Sequence, residues 1–498
     1  MRYIFSFLLI AGIAINQDTY AQDAVDALRF SQYQYGSSAR LKALGNAQTA
    51  VGGDISSIGG NPAGIGLFTR SELSLTTEIM NYSSTGTYFN QNTSANRGRF
   101  DINNAGAVFV LPLNKLKGQD LRSGVISLNF GIGYNKTNDF GNKIRFAGPN
   151  EENSIADFYA DLANDYTGAL DEGSLEDAAY EANLINLDGS NYVSTTNSTN
   201  RSQDEILIRN GSQSELNLAA GVNIGNKFYI GTSLGFLSLD YTSDNSFRET
   251  GTISYSDNTS DNYEANYYQQ YRSEGYGLNL KLGAIYRPNQ YVRLGANYQS
   301  PNWYTIDRNY SESSENRLSD NPLYQDKTVR SPNISFDEFT YGLKSPAKFS
   351  LGAAFFQSKL GFITGDIEFV DYSSMELQTK GYDNPNEFVE DNRYIVNNYT
   401  NAVNYRVGAE IKAASPIMLR GGYAFNQSAF ENSDQDMDIH TYSLGAGYRT
   451  GNINIDLAYQ SSTMNSQTSP YFVTNGTSPS ASFKSTRNGI FITIGTRF

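Results

Sequence analysis

The chain has 498 residues, 51 acidic side chains against 37 basic ones, a net charge of −14 and no cysteine. That composition excludes a disulfide scaffold, a zinc–thiolate site and a cysteine nucleophile, and a single histidine, His440, excludes multi-histidine chemistry. The acidic balance argues against a nucleic-acid binder, which needs a basic stripe, and a mean hydropathy of −0.47 excludes a bundle of membrane helices.

Residues 1–21 read as a secretory signal peptide. Met1-Arg2-Tyr3 supplies a positive start, an apolar run follows from Ile4 to Ile15, and Thr19-Tyr20-Ala21 precedes a cut after Ala21. The run is too short to cross a bilayer as a helix. Residues 22–71 are rich in small and turn-forming residues, with Val51-Gly52-Gly53-Asp54 and a Gly/Asn/Pro cluster from Gly59 to Gly66.

From Glu72 to Phe498 one unit recurs: about ten alternating residues, a short turn, another run, then a longer polar loop. The clearest run is 278–286, where Leu278, Leu280, Leu282, Ala284 and Tyr286 face one way and Asn279, Lys281 and Gly283 the other. About fourteen such strands are expected, near 72–82, 104–113, 122–136, 212–224, 227–243, 262–287, 290–309, 346–358, 361–378, 398–413, 416–430, 436–449, 452–464 and 484–498. Short turns at Gly225-Asn226, Pro288-Asn289, Ser415-Pro416 and Gly451-Asn452, with a longer one at 115–118, alternate with polar loops at 83–103, 137–211, 244–261, 310–345, 379–397, 431–435 and 465–483. Short periplasmic turns and long outside loops are the outer-membrane pattern, so the expected fold is all-β: a transmembrane antiparallel barrel of about 14 strands at residues 72–498. A soluble sandwich would bury the apolar set and would not need strictly alternating connections. Tyr134, Tyr286, Tyr298, Tyr423, Tyr448 and Tyr459 suit an interfacial aromatic girdle.

The longest loop, 137–211, departs from the alternation. Ile155, Phe158, Tyr159 and Leu162, then Leu175, Ala178, Ala179, Ala182 and Ile185, recur at helical spacing, so the loop is expected to be partly helical. Lys143 and Arg145 beside them read as solvated loop charges.

Catalytic signals are weak. Gly231-Thr232-Ser233-Leu234-Gly235 matches a nucleophile elbow in letters, but strand alternation runs through it and no histidine partner is placed for it. His440 and Ser443 lack a lipase spacing, and the acidic stretch Asp434–Asp438 lacks the glycine and closing glutamate of a calcium loop. No enzyme, metal or cofactor is expected. The inward charges Lys281, Arg293, Asp366, Glu368, Arg406, Glu410, Arg420 and Asp456 mix signs, as a lumen ion-pair network would.

The run from Ser37 through Ala50 and Gly53-Asp54 to Asn61-Pro62-Ala63-Gly64-Ile65, with Tyr341–Ala354 and Tyr291–Pro301, resembles the FadL/TodX family of outer-membrane transporters for long-chain fatty acids and other hydrophobic compounds. The resemblance implies that residues 22–71 form a hatch plugging the lumen, with Asn61, Pro62, Ala63 and Gly64 gating it. It also implies capture of a hydrophobic or amphipathic molecule in an outside loop groove, for which Ile155, Phe158, Tyr159 and Leu162 are the candidates. A lumen pocket and lateral exit at a kink in the third strand would follow, and Gly131 and Gly133 are where a kink is sought; equally, glycines facing the lumen make room for a plug. Passive uptake across the outer membrane of a Gram-negative bacterium is the expected function, without TonB-type coupling. Lipid of the outer membrane and the barrel-assembly machinery, reached through a last strand ending at Phe498, are the expected partners. The alternative is a surface adhesin or ligand-binding barrel using the long acidic loops.

Overall fold

A computed structural model of the chain describes residues 17–113, 123–165, 169–255, 259–319, 328–335, 338–357, 360–381, 386–414, 416–431, 437–474 and 476–498, with side chains from Asp23 onward. Most of the expected leader, the turn at 115–118 and the acidic residues Asp434 and Asp436 lie outside the described residues.

Fourteen strands close into one antiparallel barrel. They are β1 Glu72–Tyr88, β2 Gln91–Pro112, β3 Val125–Asp139, β4 Ser202–Ile224, β5 Phe228–Ser254, β6 Ser260–Tyr286, β7 Val292–Gln299 continued by Trp303–Ser319, and β8 Phe339–Lys344 continued by Lys348–Gln357. The ring goes on through β9 Gly361–Asp371 continued by Glu376–Thr379, β10 Asn401–Ala414, β11 Ile417–Asn426, β12 Ile439–Thr450, β13 Ile453–Thr468 and β14 Ala481–Arg497. β14 pairs with β1 from Arg497 opposite Glu72 to Ser482 opposite Thr87, which seals the cylinder and leaves it without outer edge strands. Leu73, Ile230, Leu282, Ile363, Leu419 and Ile494 stand exposed in an outward belt, while their chain neighbours Lys281, Thr364, Arg420 and Thr493 are buried inside. A continuous apolar belt of this extent is a membrane contact.

Two proline-bearing breaks punctuate the wall. Proline has no N–H to give a ladder, and β7 and β8 stop at Pro301 and Pro346 on facing strands. There Ser345 N donates to Asn302 O (2.9 Å) and Asn302 N to Ser345 Oγ (2.9 Å), so the lost rungs are replaced locally.

The loops expected at 83–103 and 244–261 are mostly strand: β1 and β2 meet across a turn at Phe89–Asn90, and β5 and β6 pair out to Ser254 opposite Ser260. Above the membrane both strand faces meet polar surroundings, so the alternation loses its apolar contrast while backbone pairing continues. The expected loop 310–345 likewise holds the outer parts of β7 and β8, and 379–397 contains a helix, Val389–Asn398.

The long loop does contain two helices, Ile155–Asp165 and Leu175–Glu181, followed by a small hairpin of Ile185–Asp188 with Asn191–Ser194. Together with Asn142–Pro149, which continues β3 and stays paired to β4, they build an extracellular cap with its own apolar core.

Candidate functional site

Residues 36–68 lie inside the barrel. They fold as a helix Ala39–Ala43 and two 3-10 turns, Ile55–Ile58 and Pro62–Leu67, capped by the side chains of Ser38, Asp54 and Asn61 respectively. Asn61 accepts from Ala63 N through Oδ1 (3.1 Å) and donates through Nδ2 to Thr49 O (2.7 Å) and Ala296 O (3.3 Å), while Pro62 opens the turn where its missing N–H costs nothing. This Asn-Pro-Ala-Gly segment rests on Gly231 of β5 and Gly283 of β6: a Cβ on either would run into Pro62 or Asn61. The elbow-like Gly231–Gly235 is therefore a strand whose first glycine seats the hatch, and Ser233 Oγ is spent on Asn217 Oδ1 (3.2 Å).

Charges lock this segment to the wall. Asp366 Oδ2 accepts from Gln48 N (2.7 Å), Thr49 N (2.9 Å) and Thr49 Oγ1 (2.8 Å). Glu410 receives Arg40 Nε from the hatch (3.0 Å) and Arg420 Nε (2.8 Å), and Arg420 reaches Asp456 (2.6 Å). Arg406 pairs with Glu368 (2.8 Å), and Tyr35 donates to the same carboxylate. Lys281 pairs with Glu215 (2.6 Å), both fully buried. Arg293 differs from the rest of the expected network: it donates to the hatch carbonyl of Val51. Arg40 and Glu215 were not anticipated; Glu215 shares the inward parity of Asn217 and was the readable one.

On the extracellular side of the hatch lies a cavity of 440 Å³. Its apolar wall includes Val25, Leu28, Met80, Phe140 and Phe491, and its polar wall is rich in cations. Arg29 and Arg406 are paired with Asp26 and Glu368, Arg487 donates to Gln34 and to the Asp139 carbonyl (3.1 Å), and Lys136 sits among Glu78, Asp101 (3.2 Å) and Asp139 (2.7 Å). Those three carboxylates come within 4.8 Å of one another, but the Lys136 ammonium occupies their centre and Arg99 pairs with Asp101 and Asp139, so they make a poor metal site. Lys42 of the hatch and Lys348 of β8 are different. Both are buried, and among the described residues neither has a carboxylate within ion-pair distance; Lys42 Nζ lies 4.7 Å from the Phe491 ring centroid and Lys348 Nζ 4.0 Å from that of Tyr33.

Beside this cavity the wall is not laddered. β2 pairs with β3 only from Pro112–Ser127 up to Asn104–Asn135. Beyond that rung β2 continues to Gln91 against β1 alone, while β3 and its continuation stay with β4. The N-terminal segment fills the seam: Gly36 packs on the backbones of Lys136 and Asn103, Gln34 N donates to Thr137 O (2.6 Å), and Ser37 N donates to Asn103 Oδ1 (2.9 Å). Arg97 and Arg99 reach across it from β2, to Arg209 O (2.9 Å) and to Asp139 (3.1 Å). The irregularities of β3 lie between Val125 and Ser127 and between Lys136 and Asn138. At Gly131 and Gly133 the ladder is regular, and both glycines lie against Ile58 of the hatch.

The residues expected to line a loop groove sit in the core of the cap. Ile155 and Tyr159 are fully buried, and the half-buried Phe158 and Leu162 pack on the same cluster, with Phe158 6.1 Å from Tyr267 and 6.4 Å from Tyr471 between ring centroids. The apolar helix face is consumed by the cap's own packing. Glu249 anchors it from β5, accepting from Ile155 N (3.1 Å), Tyr263 OH (2.7 Å), Ser154 Oγ and Gln203. Burial raises the Glu249 carboxyl above its ordinary value despite those bonds, and raises Glu205 to about 8.

A family model described as outer membrane protein transport protein (OMPP1/FadL/TodX) matches residues 212–498, more than half of the chain. Among solved structures, a Pseudomonas aeruginosa FadL homologue superposes with a TM-score of 0.55 at 13% identity, covering 93% of this chain and 98% of that one. The Pseudomonas putida toluene transporter TodX superposes at 0.51 with 11% identity, covering 93% and 99%. At these identities the likeness concerns the fold. No curated protein matches the sequence.

Proposed function

The chain belongs to the OMPP1/FadL/TodX family of outer membrane transport proteins, and from its lumen we propose that the cargo is an amphipathic molecule with an anionic headgroup, such as a long-chain fatty acid, admitted passively. The observation that carries this is the pair Lys42 and Lys348: two buried ammonium groups that, among the described residues, have no carboxylate within ion-pair distance, facing a cavity whose other wall is apolar. A buried charge is costly without a partner, and a carboxylate headgroup would supply one while its chain covers Val25, Leu28 and Phe140. A neutral hydrocarbon such as toluene, the cargo of TodX, would leave both ammonium groups unpaired.

The route we infer begins at the extracellular rim, where Gln427, Ser428, Phe430 and Met437 border the cavity. It ends laterally at the β2–β3 seam, supported by the missing rungs above Asn104–Asn135. Asn61, Pro62, Ala63 and Gly64 would hold the hatch shut during passage. The leader would be removed after Ala21, the barrel-assembly machinery would read the strand ending at Phe498, and neither catalysis nor TonB-type coupling is required. Family membership speaks for transport over the adhesin alternative.

The test is protein-dependent uptake of labelled fatty acid and of labelled toluene by cells carrying wild type, Lys42→Gln or Lys348→Gln. Loss of one charge-assisted contact should lower fatty-acid affinity about tenfold or more and leave toluene unchanged. Equal losses for both cargoes, or for neither, would reject the anionic-headgroup reading.

A further inference from the structure

The periplasmic end of the barrel is cationic although the chain is acidic overall. Its turns and strand ends carry Arg70, Lys227, Arg287, Lys412, Arg449 and Arg497; Glu72 there is paired with Arg497 (2.8 Å), and Glu410 and Asp456, a few residues farther in, are paired with Arg420. Within that rim one pair stands apart. Arg287 follows β6 and Arg293 is the second residue of β7, with the turn Pro288–Tyr291 between them, and among the described residues neither has a carboxylate within ion-pair distance. Leu294 faces Tyr286 in the ladder, so the next positions outward, Arg293 and Arg287, stand across from each other. Like charges are not placed together in a partly dry mouth without cost.

Arg293 is nonetheless held firmly. Its guanidinium lies 4.3 Å from the Phe356 ring centroid and donates to the Val51 carbonyl of the hatch, which leaves Nε buried with no acceptor. The geometry points to an anion-binding site on the periplasmic face of the hatch, formed by Arg287 and Arg293 and taking a carboxylate or phosphate oxyanion. A planar guanidinium suits either, and a second one beside it turns mutual repulsion into joint attraction. An oxyanion there competes with the Val51 carbonyl for the same donors, so binding loosens the hatch from below. The site does not depend on what the upper cavity carries, since its residues are separate from that cavity's lining. Its ligand is either the carboxylate of a fatty acid reaching it from the periplasm or the phosphate of an inner-leaflet lipid.

The absence of cysteine from the chain gives a clean reporter. A Leu67→Cys variant in nanodiscs of uncharged lipid places one thiol at the end of the hatch. Equilibrium dialysis with labelled inorganic phosphate and with labelled octanoate measures binding, and maleimide reactivity of the thiol reads the hatch. We expect a bound anion that speeds thiol labelling. Arg287→Gln, which leaves the Arg293–Val51 contact in place, should weaken binding about tenfold and abolish the acceleration. Arg293→Lys keeps the charge and should retain binding better than Arg293→Gln, which guards against a variant that merely misfolds. Octanoate binding without phosphate binding assigns the site to cargo, and binding of both assigns it to oxyanions generally, lipid phosphate included. Equal binding by wild type and Arg287→Gln, or binding without any change in labelling, would overturn the proposal.

Discussion

Asp366 fastens the hatch with one oxygen: three donors from Gln48 and Thr49 converge on Oδ2, two of them backbone N–H groups. Removing it should cost about 1–3 kcal/mol for each donor left buried and unsatisfied. Asp366→Ala is therefore expected to speed hydrogen exchange in residues 46–53 by about tenfold or more while the barrel amides exchange as before, as read by mass spectrometry. Gly283 makes the complementary test. It matters for what it lacks, since a side chain there meets Asn61. Gly283→Val should push the Asn-Pro-Ala turn off the wall and raise single-channel conductance in planar bilayers; conductance equal to wild type would mean that the turn relaxes without opening a path.

At the scale of elements, the cap behaves as a small domain set on the barrel rather than as a flexible loop. Its helices bury their apolar faces against Phe247, Tyr267 and Tyr471, and Glu249 satisfies the start of the helix Ile155–Asp165 from below. Two buried carboxylates come with that packing, and burial raises both. For Glu205, raised from the ordinary 4.5 to about 8 by burial, the folded cap favours the proton. Below the unfolded value both states are protonated and the contribution is complete. As pH rises the unfolded chain sheds its proton first, and stability falls until the folded group ionises near 8. Hydrogen exchange across 142–211 should accordingly quicken between the ordinary 4.5 and about 8 beyond the intrinsic chemical rate, and no further above that. A Glu205→Gln variant, which keeps the shape and cannot ionise, should lose that excess.

For the molecule as a whole, the question is where cargo leaves. The seam between β2 and β3 borders the cavity and is spanned by long side chains rather than by backbone rungs. Replacing Arg97 and Arg99 by alanine removes those spans without touching Lys42 or Lys348. If exit is lateral, uptake of fatty acid should rise in the double variant; unchanged uptake would send the route past the hatch to the arginine-rich periplasmic mouth instead. The same seam explains why residues 34–37 run where they do. They occupy the backbone positions that β2 and β3 leave open, so the N-terminal segment acts as a latch on the wall as well as a plug in the lumen.

Period-two alternation, turn lengths and an even strand count made the barrel legible before any tertiary information, because a lipid belt imposes its contrast directly on every second residue. The inward charges Lys281, Glu368, Arg406, Glu410 and Arg420 were readable for the same reason: parity alone says which way a strand residue points. Parity stops informing where the lipid stops, so the outer parts of β1, β2 and β5 were hidden behind Ser, Thr and Asn that look like loop. Helical spacing at Ile155–Leu162 correctly marked a buried face, but what buries a face is a matter of neighbours distant in sequence, and here those neighbours are Tyr267 and Tyr471 rather than open solvent over a groove. Pairing is the second thing only the tertiary structure decided. Whether Lys42 or Lys281 finds a carboxylate, and which glycine faces Pro62 or Ile58, depends on how a hatch and fourteen strands are packed in three dimensions, and no local period encodes that.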